Sequence, residues 1–149
     1  MAIVYRDLPV PPEAAFEVLS DGWLYGLWVV GASHIRDVDD TWPAVGARIH
    51  HAFGAWPVLL RDQTTVMESE PPHRLVLQAR AWPAGQARIV LTLDPVREDG
   101  SRMGIEEYPV TGIGALLNNP LADKFLHRRN VETLARFSAL VEHRARRPA

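Results

Sequence analysis

Residues 120–146 read Pro-Leu-Ala-Asp-Lys-Phe-Leu-His-Arg-Arg-Asn-Val-Glu-Thr-Leu-Ala-Arg-Phe-Ser-Ala-Leu-Val-Glu-His-Arg-Ala-Arg, and this stretch decides the fold. Proline suits the first turn of a helix. Behind it, Leu121, Phe125, Leu126, Val131, Leu134, Phe137, Leu140 and Val141 recur at helical spacing, which predicts one amphipathic helix with a buried stripe. At about 1.5 Å per residue the helix reaches roughly 40 Å, so its arginine-rich end is expected to overhang into solvent. A lone helix of this length needs a broad apolar partner. The rest of the chain offers a curved antiparallel sheet, which can close around the helix and leave a cavity between them.

The strands come from the punctuation. Asp39-Asp40, Ala55-Trp56-Pro57, Glu70-Pro71-Pro72, Pro83-Ala84-Gly85 and Glu98-Asp99-Gly100 are turn signals. They separate strand-like stretches near 32–38, 46–54, 58–69, 73–82, 86–95 and 101–110. Short connections imply antiparallel neighbours. Two alternations are clear: Leu75, Leu77 and Ala79 against Val76, Gln78 and Arg80, and Ile89, Leu91 and Leu93 against Arg88, Val90 and Thr92. The first set of each is expected to face inward. Before these, Ile3–Val10 reads as a first strand that Pro11 and Pro12 terminate. A short helix follows from about Pro12 to Ser20, with Ala15, Phe16, Val18 and Leu19 on its apolar side and Asp21-Gly22 as its stop. A second short helix or turn carries Trp23, Tyr25 and Trp28. The expectation is an α+β domain over residues 1–149, with seven strands, two short helices after the first strand and one long terminal helix.

Composition narrows the chemistry. With 149 residues the chain supports one self-sufficient core. A net charge of -2 argues against a general nucleic-acid binder. Cysteine is absent, which removes disulfides, thiolate metal sites and cysteine nucleophiles. No apolar run approaches the roughly 18 residues of a membrane span, and Met1–Asp7 lacks the apolar core of a signal peptide. Stable membrane insertion is therefore not expected, and a cytoplasmic location is. The six histidines lack a metal-ligand spacing, and neither a Gly-x-Ser-x-Gly elbow nor a His-Glu-x-x-His helix is present. Gly112-x-Gly114 precedes a helix, but Leu117 stands where a third phosphate-binding glycine would be. No metal and no cofactor is expected.

The order of elements resembles the helix-grip fold of the START and birch-pollen-allergen superfamily (SRPBCC, Bet v 1-like). Val10-Pro11-Pro12-Glu13-Ala14-Ala15-Phe16-Glu17-Val18-Leu19-Ser20-Asp21, with Tyr25 and Trp28-Val29 after it, is similar to the opening of its polyketide cyclase/dehydrase and lipid-transport branch. Trp42-Pro43-Ala44-Val45-Gly46, Glu70-Pro71-Pro72-His73-Arg74-Leu75 and Arg129-Asn130-Val131-Glu132-Thr133-Leu134 extend the resemblance over nearly the whole chain. The order and spacing of these motifs are specific for the fold and not for an activity. Members of the superfamily bind lipids, sterols or polyketides, cyclise aromatic intermediates or act as co-chaperones, and they share no universal catalytic set.

Candidate residues follow from strand parity. If Ile49 and Phe53 face inward, His51 does too and His50 faces out. Met103 and Ile105 likewise carry Glu107 inward and leave Glu106 outside. His51 and Glu107 are thus the candidate catalytic acid/base groups, an imidazole that titrates near neutrality and a carboxylate facing an apolar interior. The bland alternatives are a core histidine with a hydrogen-bonded neighbour and an ion pair between Glu107 and an arginine. The expected cavity wall comprises Leu77, Ala79, Ile89, Leu91, Met103 and Ile105 from the sheet, Trp28 beneath it, and Phe125, Asn130 and Leu134 from the helix. Trp56, Trp82, Leu116 and Leu117 are candidates for an apolar rim.

Three readings remain open at this point. The first is a binding or transport protein for a hydrophobic small molecule: a lipid, an aromatic or a polyketide-like compound. The second is a cyclase or dehydratase using His51 and Glu107, and the third a co-chaperone-like interaction module using the rim. A homodimer is left open.

Overall fold

The computed structural model describes residues 2–55, 58–81, 85–111 and 120–146. Strand β1 (Ala2–Leu8) leads into helix α1 (Pro12–Leu19), a 3-10 turn at Gly22–Leu24 and the single-turn helix α2 (Tyr25–Trp28). Strands β2 (Ala32–Val38), β3 (Arg48–Ala55), β4 (Val58–Glu70), β5 (Arg74–Ala81), β6 (Gly85–Val96) and β7 (Gly100–Thr111) follow, then helix α3 (Pro120–Arg146). All seven strands form one antiparallel sheet in the order β1-β7-β6-β5-β4-β3-β2. This is the helix-grip arrangement.

Register fixes which side chains meet on the concave face. Val4 stands opposite Ile105, Ile105 opposite Leu91, and Leu91 opposite Leu75. One row further, Glu107 is opposite Ile89 and Ile89 opposite Leu77. At the far side Ile49 faces Thr64, and His51 faces Asp62. Register shifts in the β2/β3, β4/β5 and β6/β7 ladders add local twist and help the sheet curl. Val76 departs from the simple alternation, being buried although it belongs to the outward set and pairs with Val90.

The short helices are anchored by specific bonds. Pro12 occupies the first position of α1, and the last carbonyl of α1, on Leu19, accepts a bond from Trp42 Nε1 at 3.0 Å. Ser101 Oγ donates to Val10 O at 2.8 Å, tying the exit of β1 to β7.

Helix α3 has the expected limits and a narrower buried face than the expected stripe, of which Leu134, Phe137 and Val141 are buried. Asn130, Thr133, Leu134, Phe137, Ser138 and Val141 are buried, whereas Leu121, Phe125 and Val131 are 79, 68 and 42 % exposed. At 100° per residue, Asn130 and Val141 lie within about 40° of the Phe137 direction, while Phe125 and Val131 lie about 120° from it. Three apolar residues of the expected stripe thus fall outside the sector that the sheet can cover. Leu134, Phe137 and Val141 hold the helix down, each gaining about 1.5–3 kcal/mol from burial.

Candidate functional site

Between α2, the concave sheet and α3 lies a small, partly enclosed cavity. Its sheet wall is apolar, formed by Leu77, Ile89 and Ile105, and its floor is the aromatic pair Tyr25 and Trp28. Its remaining side is polar: Glu107 from β7 with Arg129, Asn130 and Thr133 from α3. The space left for the centre of a water-sized molecule is about 10 Å³, which is room for roughly one water. A larger hollow, about 660 Å³, lies elsewhere as an open groove lined by Asp7, Glu98, Asp99, Arg97 and Glu142. That groove is a charged surface feature, with Asp7 held by Arg102 at 2.8 Å. The smaller cavity is the better candidate because it combines apolar walls with a few convergent polar groups.

The polar side is built from α3. Arg129 Nη1 donates to Glu107 Oε1 and Oε2 at 2.8 and 3.0 Å, and both side chains are largely withdrawn from solvent. Arg129 Nε also donates to Val30 O at 3.0 Å, while Val30 N donates to Thr133 Oγ1 at 3.3 Å. One turn of α3 therefore satisfies both backbone groups of Val30, where the chain leaves α2 for β2. Two buried donors at the cavity have no hydrogen-bond partner among the described residues: Trp28 Nε1 and Asn130 Nδ2. The Trp28 ring is held edge-on by Tyr25 and by Phe137, at centroid distances of 5.3 and 5.2 Å.

His51 belongs to a neighbouring cluster rather than to the cavity wall. It is fully buried, its Nε2 lies 2.7 Å from Thr64 Oγ1, and its ring stacks on Tyr25 at 5.9 Å. The Tyr25 hydroxyl lies 3.4 Å from the same Thr64 oxygen. Burial pushes the His51 imidazole down to about 4, opposed by Asp62 and reinforced by Arg36. Burial likewise pushes the Tyr25 phenol up. Both rings are neutral at pH 7, and Tyr25 links the His51 cluster to the cavity.

The structure brings Glu107, Asn130, Trp28, Leu77, Ile89 and Ile105 together around the cavity. Ile49, Leu91, Met103 and Leu134 are buried core, as is Ala79. His51 and Glu107 both point inward, as parity required, but β3 and β7 are separated by three strands and neither side chain is the other's partner in any bond described here. Phe125 is on the exposed side of α3. Phe53 pairs in β3 through its backbone, with its side chain outside the described set; Trp56, Trp82, Leu116 and Leu117 lie outside the described residues. Arg129 and Thr133 were not among the candidates. Their i,i+4 spacing around Asn130 was the available signal, but an arginine on an amphipathic helix ordinarily reads as solvated. Among the described residues no group of three or more histidines and carboxylates converges as a metal site, and no helix is long and apolar enough to cross a membrane.

Comparison with solved structures places the fold. Protein NE0264 from Nitrosomonas europaea superposes with a TM-score of 0.74 at 18 % identity, over 96 % of this chain and 94 % of its own. DynU16, a protein of the dynemicin biosynthetic locus, gives 0.69 at 16 %, over 95 % of this chain and 46 % of its own. Ara h 8.0201 gives 0.66 at 11 %, over 95 and 94 %. No family model and no curated protein matches the sequence. At these identities the likeness is one of fold: the chain shares the helix-grip arrangement of a curved antiparallel sheet and a long terminal helix with these structures.

Proposed function

We propose that this protein binds a hydrophobic small molecule between the concave sheet and α3, with the polar side of the cavity receiving one end of it. The observation that carries this reading is the cavity itself, partly enclosed, apolar on the sheet side and furnished at one side with a largely buried ion pair and two donors without a partner among the described residues. Since the space described has room for about one water, ligand entry must displace wall side chains, as apolar pockets of drug-sized ligands hold hundreds of Å³. Lipids, aromatic metabolites and polyketide-like compounds fit the wall chemistry. The DynU16 likeness gives the last of these some support.

Binding is favoured over proton transfer by the same geometry. Glu107 has both oxygens on Arg129, and His51 is hydrogen-bonded to Thr64 away from the cavity wall. A cyclase-like acid/base pair would need both groups free to reach one substrate. Native mass spectrometry of gently purified protein tests the reading. A co-purified mass that is displaced by added fatty alcohol or naphthalene is expected, and failure to take up either neutral compound at its saturating aqueous concentration would overturn it.

A further inference from the structure

The unpartnered donors say more about the ligand. Nearly all buried polar groups in folded proteins have a partner, and leaving one without it costs about 1–3 kcal/mol. Here two such groups, Trp28 Nε1 and Asn130 Nδ2, belong to residues that line the same cavity. An indole N–H can only donate, so whatever meets Trp28 must be an acceptor. Its ring is clamped between Tyr25 and Phe137, so the N–H direction is fixed. The charge at the site is already matched, because Arg129 is bound to both oxygens of Glu107 and to Val30 O. An anionic ligand would find no uncommitted cation and would meet the Glu107 carboxylate.

Resting on the binding function proposed above, we infer that the ligand carries a neutral carbonyl oxygen at its buried end, received by the N–H groups of Trp28 and Asn130. The apolar remainder lies along Leu77, Ile89 and Ile105.

Three probes of similar size separate the outcomes when titrated into the full chain at pH 7: acetophenone, α-methylstyrene, in which =CH₂ replaces the carbonyl oxygen, and benzoate. Acetophenone is expected to bind roughly 10-fold or more tightly than α-methylstyrene, the equivalent of one hydrogen bond at 1.4 kcal/mol per tenfold. Benzoate is expected to bind more weakly than either. Trp28→Phe keeps an aromatic ring and removes the N–H, and Asn130→Leu removes the amide; each should bring the ratio of acetophenone to α-methylstyrene affinity toward one, and an unchanged ratio in both would overturn the anchor. On the unmodified chain, the ¹³C carbonyl resonance of bound acetophenone should move downfield, a readout independent of whether a variant folds. Equal binding of acetophenone and α-methylstyrene with no carbonyl shift would overturn the anchor and leave the container standing. Preference for benzoate would overturn the argument from charge. Binding of none of the three would overturn both the anchor and the function on which it rests.

Discussion

Arg129 of α3 closes on Glu107 of β7 with Nη1 at 2.8 and 3.0 Å from the two carboxylate oxygens, joining the terminal helix to the sheet through the polar side of the cavity. The carboxylate sits on a row that otherwise reads Ile89 and Leu77, so among the described residues the cation beside it is Arg129 of the helix. Breaking such a pair from one side leaves a charge stranded in an apolar setting.

Arg129→Met should therefore destabilise the fold by about 3 kcal/mol, read as a fall in the urea midpoint. Arg129→Met with Glu107→Gln should recover a good part of that loss, because no buried charge is then left unmatched. A double variant no more stable than Arg129→Met would show that the pair is not what Glu107 depends on.

His51 predicts how stability changes with pH. Its folded value of about 4 lies below the ordinary 6.5, so between these limits the unfolded chain binds the extra proton. Stability from this group is unaffected above about pH 6.5 and falls as the pH drops through the window. From pH 7.5 to 5.0 the loss should be about 2 kcal/mol, at 1.36 kcal/mol per unit. Urea titrations at the two pH values measure it, and His51→Gln should flatten the difference; an unchanged difference would place its origin elsewhere.

The two faces of α3 give opposite expectations. Phe137→Ala removes a fully buried ring and should cost about 3–5 kcal/mol. Phe125→Ala, at 68 % exposure, should stay within about 0.5 kcal/mol of the starting protein. Thermal melts of the two variants decide whether the buried face runs through Phe137 or through Phe125.

Gly100 opens β7 where space is absent. A Cβ there would stand 2.6 Å from the Val96 carbonyl oxygen, a backbone atom that cannot rotate away. Gly100→Ala should destabilise by about 1–3 kcal/mol. A neutral result in urea unfolding would mean that the β6/β7 turn yields more readily than this contact implies.

The strands, α1 and the limits of α3 were legible because proline turns and period-two alternation act locally. The inward placement of His51 and Glu107 was legible for the same reason, since each shares parity with apolar neighbours on its own strand. Their partners were not. Thr64 meets His51 and Arg129 meets Glu107 only through sheet register and the seating of α3, which no local pattern encodes. The stripe of α3 was legible at Leu134, Phe137 and Val141 and not toward the helix start, because Leu121, Phe125 and Val131 add apolar residues beyond the sector that the sheet covers. Asn130, one of the helix residues expected at the cavity wall, lines the site with Arg129 and Thr133.

The central claim is that the interior between sheet and α3 takes up a small molecule, and the Trp28 indole reports on it most directly. In a ¹⁵N–¹H spectrum, acetophenone should shift the Trp28 Nε1–H resonance downfield. It should leave Trp42, whose Nε1 already donates to Leu19 O, and the exposed Trp23 unmoved. An unmoved Trp28 resonance at saturating probe, or a shift confined to Trp23, would contradict the account.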